Sequence, residues 1–486
     1  MNHFLIRQKS TSTPLGLLAI ASYMQEKGHT VKIVDLTVEK ESIEKQIKLF
    51  CPDVVGLSVM AALARTSAVK VSKIARKHKK PVVWGGRLPS SLPAECLKEG
   101  CVDYAVIGEG EVTFAELIEA IEAGQSCEDI AGLAYMDQNG VHINQKRTFA
   151  DLSDFPVTNW NLINTQNYNQ KYFSCDKMMY LYWSKGCPGR CTFCYNAQYH
   201  GALHRTRPPE YVVAEIEYLV KNCGVDGIYF ADEFLRPSKE DMQTFFRLIK
   251  EKNLDFRWGG MTRVGAYSKE ELQQMYDAGC RWLLFGIESG CAERLKAIKK
   301  GVNLEKAKQV FEYCREIGIT TQSSFIIGYP GETEDELKET VRFAFSLRAN
   351  LLPFNGYFPQ PDSELYDTLV EKGWFVPPKT LKEWSRFEVG EVIQVNFSKV
   401  PRKDLMVLHF YTQWLAFLRK DSVNTEKYGL AKKVAADTMQ SIFTSGFSGF
   451  FINIIDSVKR FVTIAWYANA YPNILRKYGI SKQVKQ

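Results

Sequence analysis

The sequence predicts an α/β protein of two successive units, a doubly wound parallel sheet and a partial (β/α)6 barrel, followed by a helical C-terminal region. Three observations predict it. Short Val- and Ile-rich runs alternate with helical stretches from the start of the chain to about residue 360. The runs are apolar along their whole length, as strands are in parallel sheets covered on both faces. From about residue 380 onward the alternation gives way to a mostly helical pattern.

In the first unit the expected strands are Val31–Leu36, Asp53–Met60, Pro81–Gly86 and Tyr104–Gly108. The helical stretches between them are Leu15–Lys27, Thr66–His78 and Val112–Ala123. Gly85 and Gly86 follow one strand, and Gly108, Glu109 and Gly110 another. Ligands of open α/β sheets bind at the carboxyl ends of strands, where glycines let them approach the backbone. A polar connector with Pro156, Trp160 and Tyr168 follows. The second series places strands at Met179–Ser184, Gly227–Asp232, Phe256–Thr262, Trp282–Glu288, Ser323–Gly328 and Leu352–Phe358. Helical patterns such as Pro209–Asn222, Lys269–Ala278, Leu304–Ile317 and Glu334–Ser346 separate them. The expected division is 1–135, a connector 136–178, 179–360 and 361–486. Chemistry in such barrels sits at the carboxyl ends of the strands.

Composition narrows the function. With 45% hydrophobic and 24% charged residues over 486 positions, the chain is ordinary globular protein. The net charge is +7, but Lys459, Arg460, Arg476, Lys477, Lys482 and Lys485 carry most of it in a tail without acidic residues. The remainder is nearly neutral, which excludes a broad nucleic-acid footprint. The start, Met1–Lys9, has no apolar run of a signal peptide, so a reducing cytoplasm is expected and clustered cysteines read as metal-binding or catalytic.

Of twelve cysteines, three form a cluster: Cys187, Cys191 and Cys194 in Lys185–Tyr195, directly after the first barrel strand. Thiolates hold iron–sulfur clusters, and a cube normally takes four. Three on one tight loop leave the fourth iron open, the logic that separates a catalytic from a structural metal site. A zinc site would want a fourth ligand at short spacing; His200 and His204 are the offers, and one cysteine trio with a distant histidine is an unusual zinc pattern.

At these residues the chain resembles the radical S-adenosylmethionine (SAM) superfamily. The resemblance implies a [4Fe–4S] cluster on Cys187, Cys191 and Cys194, whose open iron chelates SAM and whose electron cleaves it to a 5′-deoxyadenosyl radical. It implies an external electron donor of flavodoxin or ferredoxin type. It places Phe193 against the adenine, and Asp232 and Glu233 where the family's glycine–glycine–glutamate motif binds the SAM amino group, although both glycines are missing. It gives Arg263 to the SAM carboxylate, Glu288 to the ribose hydroxyls, and Ile326 and Gly328 to the strand that flanks the adenine.

The first unit is similar to the cobalamin-binding domain that precedes many radical SAM barrels. The match runs through Pro14–Leu18, Asp53–Met60, Val83–Gly86 and Asp103–Glu111. It implies a cobalamin surface made by Thr13, Leu15, Gly16, Ser58, Met60, Arg65, Gly85, Gly86, Gly108, Glu109 and Gly110, and position suggests that Arg65 or another residue of the loop Ala61–Thr66 faces the cobalt. The Asp-x-His-x-x-Gly string that ligates cobalt in methionine synthase-type domains is missing, and His29 reads as a turn residue. Bound cobalamin would therefore have no protein histidine. The resemblance extends to Pro359–Tyr366, Gly373 and Trp384.

The implied reaction is methyl transfer to an unactivated carbon of a hydrophobic, natural-product-like or lipid-like small molecule. Radical cyclisation or rearrangement in anaerobic tetrapyrrole or lipid metabolism is the alternative, and a cobalamin or SAM sensor the non-enzyme one. Cys51, Cys96 and Cys101 do not form the extra cluster set of a methylthiotransferase. In the tail, Ile442–Ile455 is apolar and uncharged but shorter than the about 20 residues a bilayer span needs. With the aromatic and basic residues of Val458–Tyr478 it reads as a helical cap on the barrel, or as a peripheral membrane contact.

Overall fold

The computed structural model describes residues 1–7, 12–168, 170–173, 175–388, 395–418, 466 and 470–480. The tail segment Ile442–Ile455, and with it most of the membrane reading, lies outside the described residues. Among those described, no helix is long and apolar enough to cross a membrane.

The first sheet is built on β1 (Asn2–Arg7), β2 (Thr30–Asp35), β3 (Val54–Ser58), β4 (Val82–Gly85) and β5 (Tyr104–Val106), parallel in the order β2-β1-β3-β4-β5. Sequence analysis did not single out β1, which lies between β2 and β3 and pairs with both. Its Phe4, Leu5 and Ile6 are buried on both faces, as a central strand requires. A hairpin of β6 (Leu133–Asp137) and β7 (Gly140–Ile143) adds two antiparallel strands beyond β5. The sheet thus runs past the expected boundary at residue 135 to Ile143.

The connector is stapled to both units rather than loose. Trp160 is buried, and its indole donates to Glu215 Oε2 at 3.3 Å. Thr158 N–H donates to Glu215 Oε1 at 2.9 Å, and Tyr168 OH to Asp35 Oδ2 at 2.9 Å.

The second sheet follows: β8 (Gln170–Tyr172), β9 (Cys175–Leu181), then a small hairpin of β10 (Ser184–Gly186) and β11 (His204–Thr206). After them come β12 (Gly227–Phe230), β13 (Arg257–Thr262), β14 (Cys280–Glu288), β15 (Thr320–Ile327) and β16 (Phe354–Gly356). Their order is β16-β15-β14-β13-β12-β9-β8, parallel except for β8. The sheet has two edges and is a partial barrel of six parallel strands. The expected first strand, Met179–Ser184, begins instead at Cys175.

Period-two alternation sorts the side chains. Met179, Leu181, Ile228, Phe230, Leu283, Phe285, Phe325 and Ile327 pack under the helices in the main core. Tyr180, Tyr229, Trp282 and Leu284 point the other way, into the barrel, where Phe173 stacks on Trp282 with ring centroids 4.6 Å apart. A Cβ at Gly259 would run into the Trp282 carbonyl and indole, so β13 needs glycine there to pair with β14. Phe375, Leu381 and Trp384 of the following region join the first sheet's core.

Candidate functional site

The cysteine loop leaves β10 at the carboxyl end of the second sheet. All three thiols are free and part-exposed. Gly189 N–H points at Cys187 Sγ at 3.4 Å, and Cys194 N–H donates to Cys191 O at 3.1 Å. Thr192 ties the loop down, its N–H on Ile298 O at 3.0 Å and its carbonyl taking Leu365 N–H at 2.7 Å. Burial pushes the Cys194 thiol up to about 11 and also raises Cys191, which Lys300 and Arg263 pull back toward thiolate. Thiolates, nearby cations and a backbone N–H suit three corners of an iron–sulfur cube. Among the described residues no three ligating side chains converge as a single-ion site would need.

Most of the predicted SAM residues gather around this loop. Arg263, at the end of β13, lies directly beneath it: a Cβ at Gly189 would stand 2.6 Å from the Arg263 guanidinium. Arg263 also donates to Lys300 O at 2.8 Å. Lys300 Nζ pairs with Glu288 Oε1 at 3.1 Å, both side chains about one-tenth exposed. Glu288 has φ +72, a left-handed conformation that costs a non-glycine residue about 1–3 kcal/mol and clusters at functional sites. It ends β14, where the register with β15 shifts between Gly286 and Glu288. Lys300 occupies one carboxylate oxygen and leaves Oε2 for a hydroxyl. Phe193 and Tyr329 stand with ring centroids 5.9 Å apart, Ile326 is part-exposed near the carboxyl end of β15, and Gly328 turns the chain there at φ +83.

Two acidic predictions separate. Glu233 Oε2 takes the Gly186 N–H at 3.0 Å, beside the cysteine loop. Asp232 is buried inside the protein. Its carboxylate takes the N–H groups of Trp183 at 2.9 Å and Ser184 at 2.8 Å, and the Ser184 hydroxyl at 2.5 Å. Burial pushes it up to about 7 against those donors. Asp232 therefore ties β9 to β10 and, at 3% exposure, is enclosed in the protein rather than open to SAM, a departure from the sequence reading.

At the carboxyl edge of the first sheet, Ser58, Met60, Gly85, Gly86 and Gly108 do come together. Met60 is 60% exposed and Leu63 51%, an apolar shelf open at the sheet edge. A Cβ at Gly86, φ +95, would meet Val59 O at 3.2 Å and Met60 Sδ at 3.3 Å, whereas Gly108 faces open space. An apolar shelf over glycine backbone fits a large flat cofactor. His3 and His29 lie at the opposite, amino end of the sheet, consistent with a cobalamin that takes no protein histidine. Gly16 opens its helix with nothing near its Cβ position, and Gly110 packs on Ile20.

Four predicted cobalamin residues are engaged elsewhere. Arg65 is held in a two-pronged pair with Glu99, both contacts 2.6 Å, and its guanidinium is not free to face the cobalt. Thr13 Oγ1 accepts the Tyr180 N–H at 3.2 Å, and Leu15 packs against the barrel core. Glu109 turns toward the barrel, to Arg205, His200 and Lys185. Burial works against its charge, but these cations outweigh it and hold the carboxyl at about 2. Lys185, Arg205, Lys300 and Tyr329 were not predicted as site residues. Arg205 and Lys300 carry no local motif that would have found them.

Comparison with known proteins agrees with this geometry. The family model described as the radical SAM superfamily matches residues 181–344, and the B12 binding domain model matches 4–118. An uncharacterised methyltransferase of Pyrococcus horikoshii is 31% identical over 74% of this chain and 79% of its own length. An anaerobic magnesium-protoporphyrin IX monomethyl ester cyclase of Rubrivivax gelatinosus is 27% identical over 74% of this chain and 66% of its own. The fold matches a solved radical SAM methyltransferase, TsrM of Kitasatospora setae with cobalamin and a [4Fe-4S] cluster bound. The TM-score is 0.71 at 18% identity, covering 96% of this chain and 99% of that one.

Proposed function

Because the chain belongs to the radical SAM superfamily and also carries a B12 binding domain, we propose that it is a cobalamin-dependent methyltransferase acting on an unactivated carbon of a hydrophobic small molecule. The observation that carries this reading is the pairing of two open carboxyl edges in one chain: the glycine shelf of the first sheet and the three-cysteine loop of the second. In the reading, Cys187, Cys191 and Cys194 would hold a [4Fe–4S] cluster, which with an external one-electron donor would supply the reductive cleavage of SAM, and the shelf would hold cobalamin as the source of the transferable methyl group.

The chain's own residues then bind and orient. Glu233 takes the SAM ammonium group and Arg263 its carboxylate. Glu288, held by Lys300, takes the ribose hydroxyls, and Phe193, Ile326 and Gly328 border the adenine. Ser58, Met60, Gly85, Gly86 and Gly108 carry the cobalamin, with Gly16 and Gly110 at the rim. Tyr180, Tyr229, Leu284 and the Phe173–Trp282 stack give the barrel interior an uncharged, largely apolar wall, which favours an apolar substrate.

The cyclase relative supports a second reading, ring closure by the same radical. One experiment separates the two. The protein is purified without oxygen and reconstituted with iron, sulfide and hydroxocobalamin. Iron, retained cobalamin and 5′-deoxyadenosine are then measured. About four irons per chain with cobalamin kept through desalting is the expected result. Four irons without cobalamin would favour ring closure, and zinc in place of iron would defeat both.

A further inference from the structure

A buried ionic group joins the two carboxyl edges. Glu109, beyond β5 of the first sheet, is 13% exposed. It faces Arg205 and lies 3.7 Å from Lys185 Nζ and 3.5 Å from His200 Nδ1. His200, 6% exposed, turns its other nitrogen to Glu233 Oε1 at 3.7 Å. Glu111 takes Lys185 Nζ at 2.8 Å, and Tyr199 OH donates to Gly108 O at 3.0 Å.

We infer that His200 is a positioning residue, one that fixes Glu233 for the ammonium group of SAM and anchors it to Glu109 of the first sheet's edge. The inference rests on the reading of Glu233 as the SAM ammonium partner.

Glu233 Oε2 is already held by Gly186 N–H, so its orientation is set by what Oε1 meets, and that is His200. Gly186 has φ +84, and a Cβ there would stand 3.1 Å from His200 Cβ, so β10 lies directly on the histidine. At 3.5 and 3.7 Å the ring meets the two carboxylates as an ion pair rather than through hydrogen bonds, and only the charged ring attracts both. Facing His200 are Glu109, shared with Lys185 and Arg205, and Glu233, with Asp232 beside it in the chain. The uncharged walls are the rings of Tyr199 and Phe149. Burial opposes the charge, but the two carboxylates outweigh it and raise the histidine above its ordinary value. The bridge is therefore made at low pH and lost as pH rises through that raised value.

The test uses the reconstituted full chain with SAM alone, reading SAM affinity and 5′-deoxyadenosine formation under dithionite from about pH 6 to 8. Titration of the SAM amine is common to all variants and cancels between them. Glu233→Gln tests the underlying reading. If it binds SAM as well as the parent protein, that reading fails and takes the inference with it. If it binds at least about tenfold more weakly, the His200 variants decide. His200→Gln is expected to weaken SAM about tenfold at the low end of the range and to flatten the pH profile. His200→Arg, which keeps the charge, is expected to recover most of the affinity with a flat profile. Parental affinity and pH profile in His200→Gln overturns the inference. So does an Arg variant as weak as Gln with iron content unchanged in both.

Discussion

At the scale of single residues, the site shows how burial decides roles that residue type leaves open. Asp232 and Glu233 are neighbours of like charge, yet one accepts three internal hydrogen bonds and the other faces the cysteine loop. Asp232→Asn replaces one acceptor oxygen with an amide that donates toward N–H groups. It should cost about 1–3 kcal/mol of stability and loosen the strand before Cys187. Thermal unfolding and iron content after reconstitution check this, and unchanged iron with unchanged unfolding would mean the tie is dispensable. Glu288 is the opposite case. Its left-handed backbone is strain of the kind that clusters at functional sites, and in the proposed reading its carboxylate meets the SAM ribose. Glu288→Gln leaves backbone and shape alone but strips buried Lys300 of its counter-charge, so the expected outcome is a lowered unfolding temperature together with SAM affinity reduced about tenfold, read by equilibrium dialysis.

At the scale of elements, glycine marks where strands come too close for side chains. Gly259→Ala puts a methyl group into Trp282 and should destabilise the β13–β14 pairing by about 1–3 kcal/mol, while Gly16→Ala, with open space around it, should be neutral or slightly stabilising. Denaturant unfolding of the two variants side by side gives the comparison. Elements were legible in the sequence where periodicity was strong. The helices Leu304–Ile317 and Glu334–Ser346 stand at the expected bounds, and the barrel strands β12 to β16 fall within a few residues of theirs. β1 was not singled out because six residues flanked by polar ones carry little pattern, and its central place comes from pairing with β2 and β3. The cysteine loop was legible because its three cysteines lie within eight residues of sequence. Arg65 and Glu109 were misread for the converse reason: their partners, Glu99 for one and Lys185, His200 and Arg205 for the other, lie 34 or more residues away, and pairing at that separation leaves no local signal.

At the scale of the whole molecule, the proposed function requires the two carboxyl edges to stay face to face, so that a radical made at one can meet a methyl group held at the other. Apolar packing through Tyr329, Tyr357, Leu381 and Trp384 supplies much of that docking. Orientation comes from Glu109, whose carboxylate meets three cations of the second unit. Glu109→Gln leaves Lys185, Arg205 and His200 buried with less than their counter-charge. Breaking a buried pair from one side costs about 3–5 kcal/mol, far more than an exposed pair is worth. The loss should concentrate at the interface, so faster hydrogen exchange is expected in residues 104–112 and 184–206 with β14 and β15 unchanged. The same carboxylate sets an acid limit. Its folded value near 2 lies below the ordinary value of 4.5, so its contribution is complete above 4.5 and is lost as pH falls from there toward 2. In the parent protein the interface should therefore loosen over that window. In the Gln variant, already loosened, this part of the acid sensitivity should be missing. Identical acid profiles for the two proteins would show that the apolar contacts alone hold the edges together.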